Sequence, residues 1–293
     1  MFKPVNLESK SEISEILKEY GSISCEMCFG NLFVWSGLEG TEYYIRGNIL
    51  YLRSGSAGYY FPVSQRPVSE SRQDIINILN YNNCEKNIKF INLFKEQAEF
   101  LRAEFGFKII ERRDKSEYIY DAEKLRTFAG RKLHGKKNHL NKFYALYGGR
   151  YKYEDIDGSN LAECLKLSWK WRTLNEIYIN DSILTELDMV KKFIDNYDKL
   201  DLTGGCIKID GEIKAFTIGE RAFLGSDCVI IHIEKATYDE IEGIYPAICS
   251  MFLTANPEFK LVNREDDLGD EGLRRSKLSY RPEYLLDRYE AEL

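Results

Sequence analysis

The 293-residue chain has no apolar run near the roughly 20 residues that a membrane-spanning helix needs. Its longest, such as CVIIHI from Cys228, are of strand length. No apolar stretch behind a basic start follows Met1, so neither secretion nor membrane insertion is expected, and the expected location is the cytoplasm. No P-loop, dinucleotide-type glycine pattern or serine elbow occurs, which leaves nucleotidase, dehydrogenase and serine-hydrolase chemistry without support. Histidine is scarce, with three residues. The seven cysteines are an odd number, scattered among apolar neighbours as reduced, packed thiols are. Cys25-Glu-Met-Cys28 has metal or redox spacing, but no second pair or histidine cluster accompanies it, so packing is the expected role and no metal site is expected. His134 and His139 are five apart and do not share a helix face, which argues against a metal pair there.

What is present suits a folded chain long enough for two domains, with 44% hydrophobic residues to build a core. The net charge is −6, yet Arg131, Lys132, Lys136, Lys137, Lys142, Arg150 and Lys152 fall in a stretch without a single acid. Such an island is either an anion-binding surface or a solvated helix face.

Periodicity predicts a helix over 8–20 stopped by Gly21, a hairpin turning at Gly47-Asn48, the strand-like GYYFPVS, and a helix over 70–81. IKFINL reads as a strand, KEQAEFLRAEFG as a helix, and FKIIERRDKSEYIY as the closing strand or bent pair of a first half. A basic helix over 131–147 opens the second half, with Leu133, Leu140, Tyr144 and Tyr147 as its buried stripe and Lys132, Lys136 and His139 along one flank. Next in order are RYKYEDI, two helices near 160–175 and 182–197, a hairpin turning at Asp210-Gly211, the strand CVIIHIEKA, a helix over 239–253, the strand FKLVNRE, a short helix and an extended end. Trp169 and Trp171, two apart on a helix, cannot both face the core, and one is expected at a domain interface. The order of elements is similar in the two halves, taken as 1–125 and 126–293; without a Pro/Gly/Ser-rich linker they are expected to pack together.

FLRAEFGF resembles the closing helix and strand of the GCN5-related N-acetyltransferase (GNAT) fold. RKLHGKKNHLNKF, GGCIKIDGEIKAFTIGE, VIIHIEKA and LVNREDDLGDEGLRRSKLSYRP are similar to the C-terminal domain of phosphatidylglycerol lysyltransferases and a soluble family related to it. The resemblance implies an α/β fold with mixed sheets, built as two GNAT-like acyltransferase domains packed together. It implies an aminoacyl- or acyltransferase that moves an acyl group from an activated donor to an amine or hydroxyl, with aminoacyl-tRNA as the donor to consider first. In ordinary GNAT enzymes a glycine-rich turn after the central strand holds the cofactor's pyrophosphate at a helix N-terminus. Here TYDEIEG, with three acids and one glycine, stands in that place, so coenzyme A is the less favoured donor. The alternatives are a non-catalytic protein that binds RNA or an anionic metabolite, and an acyl-CoA-dependent N-acyltransferase. The oligomeric state is open.

Strand alternation places His232 and Glu234 on one face of VIIHIEKA, with Ile231, Ile233 and Lys235 on the other. An imidazole beside a carboxylate could take the proton of an attacking amine, so these two are the catalytic candidates. In FKLVNREDD the same rule separates Lys260, Val262, Arg264 and Asp266 from Leu261, Asn263 and Glu265. Asp267 onward reads as a helix start with acids early and bases late. Asn263, Arg264, Glu265 and Asp266 are left over as candidates for binding substrate at a strand end. Lys132, Lys136 and His139 are candidates for gripping the phosphates of a tRNA end or of a phosphate-bearing small molecule.

Overall fold

The computed structural model describes residues 1–55, 57–81, 88–174, 181–237 and 241–293, with side chains throughout except at 171–174 and 181–185. Cys84, the Trp171 side chain and residues 238–240 of the TYDEIEG stretch lie outside the described residues.

The strands of the first half are β1 (Lys3–Pro4), β2 (Thr41–Arg46), β3 (Ile49–Ser54), β4 (Gly58–Tyr59), β5 (Lys89–Leu93) and β6 (Lys108–Glu111). Then come β7 (Glu117–Asp121), β8 (Tyr151–Asp155), β9 (Thr203–Ile209), β10 (Glu212–Arg221), β11 (Cys228–Ala236), β12 (Leu261–Asn263), β13 (Tyr284–Leu286) and β14 (Tyr289–Glu292). They form two seven-stranded mixed sheets, ordered β1-β2-β3-β4-β5-β14-β6 and β13-β7-β12-β11-β10-β9-β8. The expected hairpins form where the turn residues put them, with Arg46 paired to Ile49 and Ile209 to Glu212.

The ends of the two halves differ from the sequence reading. SEYIY does not close the first sheet: β7 crosses over and pairs antiparallel with β12 and β13. The C-terminal β14 returns the exchange, inserting antiparallel between β5 and β6. Each sheet is therefore completed by a strand that local patterning assigns to the other half.

The helices are α1 (Lys10–Tyr20), α2 (Phe29–Glu39), α3 (Arg72–Tyr81), α4 (Lys95–Phe105), α5 (Ala122–Thr127), α6 (His134–Tyr147), α7 (Leu161–Leu174), α8 (Asp181–Asp195), α9 (Ile244–Ala255) and α10 (Glu271–Ser279). Gly21 and Gly106 end α1 and α4 in the left-handed conformation that glycine adopts without strain. α2 had no assignment from sequence, because FGNLFVWSGLE is apolar without a clean stripe; it is buried through Phe29, Leu32 and Val34.

One apolar cluster joins the halves: Ile13, Leu17, Phe29, Leu32, Leu50 and Leu52 pack with Phe193, Ile194, Phe216, Ile218 and Ile233. Each such fully buried side chain is worth about 1.5–3 kcal/mol, enough to hold the sheets as one body. On the far side of the second sheet, α5, α6 and α9 build a separate cluster around Phe143, Ile248, Phe252 and Val262. Leu133 and Leu140 are buried as expected and Tyr147 packs against the same cluster, but Phe143 takes the place of Tyr144, which is 39% exposed.

Candidate active site at the parting of two parallel strands

β11 and β12 are parallel neighbours for three residues only, Cys228–Ile230 against Leu261–Asn263. Beyond that, side chains rather than backbone bonds bridge the gap. The register between β10 and β11 shifts here: Ile218 pairs with Ile233 and Gly219 with Ile231, leaving His232 as the extra residue of a bulge. Gly219 permits it, since a Cβ there would collide with the Ile230 carbonyl oxygen.

The bulge breaks the alternation on which the sequence reading relied. His232 turns toward α8, where its ring stacks on Phe193 with centroids 4.6 Å apart. Glu234 turns to the opposite face, toward α9 and α6. His232 and Glu234 therefore do not form a pair.

On the α9 face, Arg264 Nη2 donates to Glu234 Oε1 at 2.6 Å, and both side chains are nearly buried. The guanidinium carbon lies 4.6 Å from the Tyr280 ring centroid, and Lys136 Nζ lies 3.8 Å from the same centroid. Arg264 Nη1 is buried without a hydrogen-bond partner. A small cavity beside it is lined by Thr217, Glu234, Cys249, Phe252, Val262 and Arg264. Burial, followed by the neighbouring Arg264 charge, lowers the Lys136 amine to about 8. Two cations thus face one carboxylate around Tyr280, and the site has positive charge left over for an oxyanion.

On the α8 face, His232 Nδ1 lies 2.8 Å from Glu265 Oε1 and Nε2 lies 3.0 Å from Glu220 Oε1. Burial opposes the imidazolium, but the two carboxylates outweigh it and raise the ring to about 9. With a carboxylate on each nitrogen, His232 has no free lone pair for an attacking amine.

The remaining candidates divide among separate places. Asn263 is fully buried and donates to Glu117 Oε2 at 2.5 Å and to the Ile23 carbonyl at 2.8 Å. Glu265 has a left-handed φ of 56°, which turns the chain so that Asp266 leaves the Arg264 face and lies 3.6 Å from Lys115. Burial raises Asp266 to about 6. Asp267 is not the helix cap; Asp270 takes that role through the Leu273 amide. Asp267 is instead fully buried and accepts from Tyr118, Arg113 and both sides of the Arg274 fork.

Three of the seven bases of the island are paired with acids. Lys142 pairs with Glu242 at 2.7 Å, Lys152 with Glu154 at 2.8 Å, and Arg150 with Asp210. His139 lies on the exposed side of α6, 3.8 Å from Glu242. Arg131 and Lys132 are exposed just before α6. Sequence reasoning missed Tyr280, Glu220 and Glu117; each is remote along the chain from the groups it meets.

The model of the family described as "Phosphatidylglycerol lysyltransferase, C-terminal" matches residues 16–292. The chain belongs to this family. Its fold is α/β with two mixed sheets packed together, as the resemblance implied. It is similar over its whole length to a conserved protein of unknown function from Bacteroides thetaiotaomicron, with 28% identity, 99% of that chain covered and a TM-score of 0.90. L-PGS from Bacillus licheniformis shares the fold at 15% identity, over 96% of this chain and 91% of that one, with a TM-score of 0.64. An uncharacterized protein of Mycoplasmoides gallisepticum is 26% identical over 198 residues, 66% of this chain and 61% of the relative's length. Within the family, this chain's described helices include none long and apolar enough to cross a membrane.

Proposed function

We propose that the chain is an aminoacyl- or acyltransferase that moves an acyl group from an activated ester to an amine or hydroxyl, working in the gap between β11 and β12. The observation that carries this reading is the buried, unpartnered Nη1 of Arg264 beside a cavity, with Glu234 fixing the guanidinium and Lys136 alongside. Family membership supports the same class of reaction, as the family's description names a lysyltransferase.

The donor's carbonyl oxygen accepts from Arg264 Nη1, and that hydrogen bond strengthens as the oxygen gains charge in the tetrahedral intermediate. The acceptor's nitrogen or oxygen bonds to the acyl carbon. Lys136, about a tenth uncharged at pH 7 and more so above it, takes the acceptor's proton in its neutral form. As the ester C–O bond breaks, that proton passes to the departing hydroxyl oxygen. The proton role expected of His232 and Glu234 moves to Lys136 in this reading, and Glu234 becomes a positioning residue for Arg264.

Aminoacyl-tRNA is preferred over coenzyme A as donor. The N-terminus of α9, where the pyrophosphate would lie in an ordinary GNAT enzyme, is backed by α6: a Cβ at Gly243 would collide with the His139 carbonyl. Glu242, the residue before Gly243, adds a negative charge there. Arg131 and Lys132 are then the groups left to meet the acceptor stem's phosphates.

The test is transfer from aminoacylated acceptor-stem mimics and from acyl-CoAs to a panel of amines and alcohols, followed by mass spectrometry. Turnover of the aminoacyl donor that falls at least ~100-fold in Arg264→Gln and Lys136→Met supports the reading. Turnover that both variants retain removes the site from the mechanism. Salt-sensitive RNA binding without turnover of any donor makes the protein a binding module instead.

A further inference from the structure

We propose that Cys28, Glu220 and His232 form a binding site for a divalent transition-metal ion, with Zn²⁺ the ion that fits. One ligand atom from each of the three lies within 4.8 Å of the other two. They come from three separated segments: Cys28 precedes α2, Glu220 ends β10, and His232 is the bulged residue of β11.

Thiolate, imidazole and carboxylate together are a donor set that suits Zn²⁺, and three protein ligands leave one coordination position for water or another ligand. Zn–S of about 2.3 Å and Zn–N of about 2.0 Å set tetrahedral ligand atoms roughly 3.3–3.5 Å apart, so Nε2 and the Glu220 oxygen, now 3.0 Å apart, would open slightly and the Cys28 sulfur, within 4.8 Å of both, would settle to that spacing. The surroundings are those of a metal-binding histidine. Nδ1 is engaged by Glu265 at 2.8 Å and Nε2 by Glu220 at 3.0 Å, so an ion would take the place of the proton between Nε2 and Glu220. Phe193 stacks on the ring and fixes its plane. Glu220 is held from behind by the Gly30 amide at 3.3 Å, and a Cβ at position 30 would displace that carboxylate. Cys28 is fully buried at the residue before α2.

The Cys25 thiol is not part of the group of three, although the Cys25 carbonyl accepts from the Cys28 thiol at 3.0 Å. The Cys25 amide donates to Glu117 Oε2 at 2.8 Å, and the same carbonyl accepts from Asn31 at 3.0 Å. The metal reading therefore uses one cysteine of the C-x-x-C pair, not both. The missing partners are supplied by the fold, 192 and 204 residues further along the chain.

The experiment uses the full chain. Metal content is measured after growth with added zinc; the chelator-treated protein is then titrated with Co²⁺ and followed by absorption. The expected result is one equivalent of zinc, and on Co²⁺ addition visible tetrahedral bands with a near-ultraviolet thiolate-to-cobalt band saturating at one equivalent. Cys28→Ser should abolish the near-ultraviolet band and Cys25→Ser should retain it. Glu265→Gln, which keeps all three ligands, should weaken Co²⁺ binding about 10-fold or more. The proposal is overturned if no metal is retained and no Co²⁺ spectrum develops in protein shown to be folded by circular dichroism. It is equally overturned if the spectrum survives in Cys28→Ser.

Discussion

Arg264 reaches from the end of one parallel strand to Glu234 on its neighbour, Nη2 to Oε1 2.6 Å, and keeps its other terminal nitrogen buried without a partner. The ion pair spans the place where the two strands stop bonding, so it closes the sheet and presents a donor to the cavity at once. Burial opposes the guanidinium's charge, but Glu234 more than compensates and raises its pKa.

Removing one member of this nearly buried pair strands the other. Arg264→Met is expected to cost about 3–5 kcal/mol in denaturant unfolding, and the double variant Arg264→Met/Glu234→Leu should recover most of that loss. A double variant no more stable than Arg264→Met would show that the pair is not coupled.

If the Lys136 amine takes the acceptor's proton, kcat/KM should rise with pH and level off above about 8, since only the uncharged amine is competent. Lys136→Arg keeps the positive charge but never deprotonates in this range, and should lose transfer across the whole profile. A wild-type profile flat between pH 6 and 9 would exclude the role.

Glu26 accepts from Asn92 at 2.9 Å and Tyr60 at 3.1 Å, and burial, with Glu117 adding to it, raises its carboxyl to about 7. The folded state therefore binds more protons than the unfolded chain between about pH 4.5 and 7. This group's contribution should make stability fall as pH rises through that window and stay constant above it. Glu26→Gln should raise Tm at pH 8, roughly 2–4 °C for each kcal/mol relieved, and flatten the slope in thermal melts. An unchanged slope would refute the assignment.

Glu117 on β7 and Arg288 just before β14 form a fully buried ion pair between the two exchanged strands, with Arg288 Nε 2.9 Å from Glu117 Oε1. Burial works against the Glu117 charge, yet Arg288, Asn263 and the Cys25 amide hold its pKa below the usual carboxylate range. Glu117→Ala should cost about 3–5 kcal/mol and weaken both halves in one cooperative transition. Two separate transitions in calorimetry would mean that the halves melt independently.

Much of the fold was legible because it is local. The hairpins at Gly47-Asn48 and Asp210-Gly211 and the helix stops at Gly21 and Gly106 derive from turn chemistry and left-handed glycines. In the site, alternation along β12 correctly separated Arg264 from Asn263 and Glu265. It failed along β11 at His232, because one bulged residue reverses the face of every later residue in the strand, and Gly219, which permits the bulge, lies on the other strand. The acid-free basic stretch was real in sequence and partly neutralised in space, because Glu242 and Asp210 arrive from distant elements and Glu154 follows Lys152 on the same strand.

The amino-acid sequence by itself determined the family, through stretches that resemble it, and most of the elements of a mixed α/β fold, since periodicity and turn residues act over a few positions. The tertiary structure alone decided which strand completes which sheet, that Glu234 and Arg264 line one cavity with Tyr280 and Lys136 stacked beside the guanidinium, and that Cys28 meets Glu220 and His232. Those contacts join residues up to about two hundred positions apart. They depend on the strand exchange and the bulge, which no local pattern encodes.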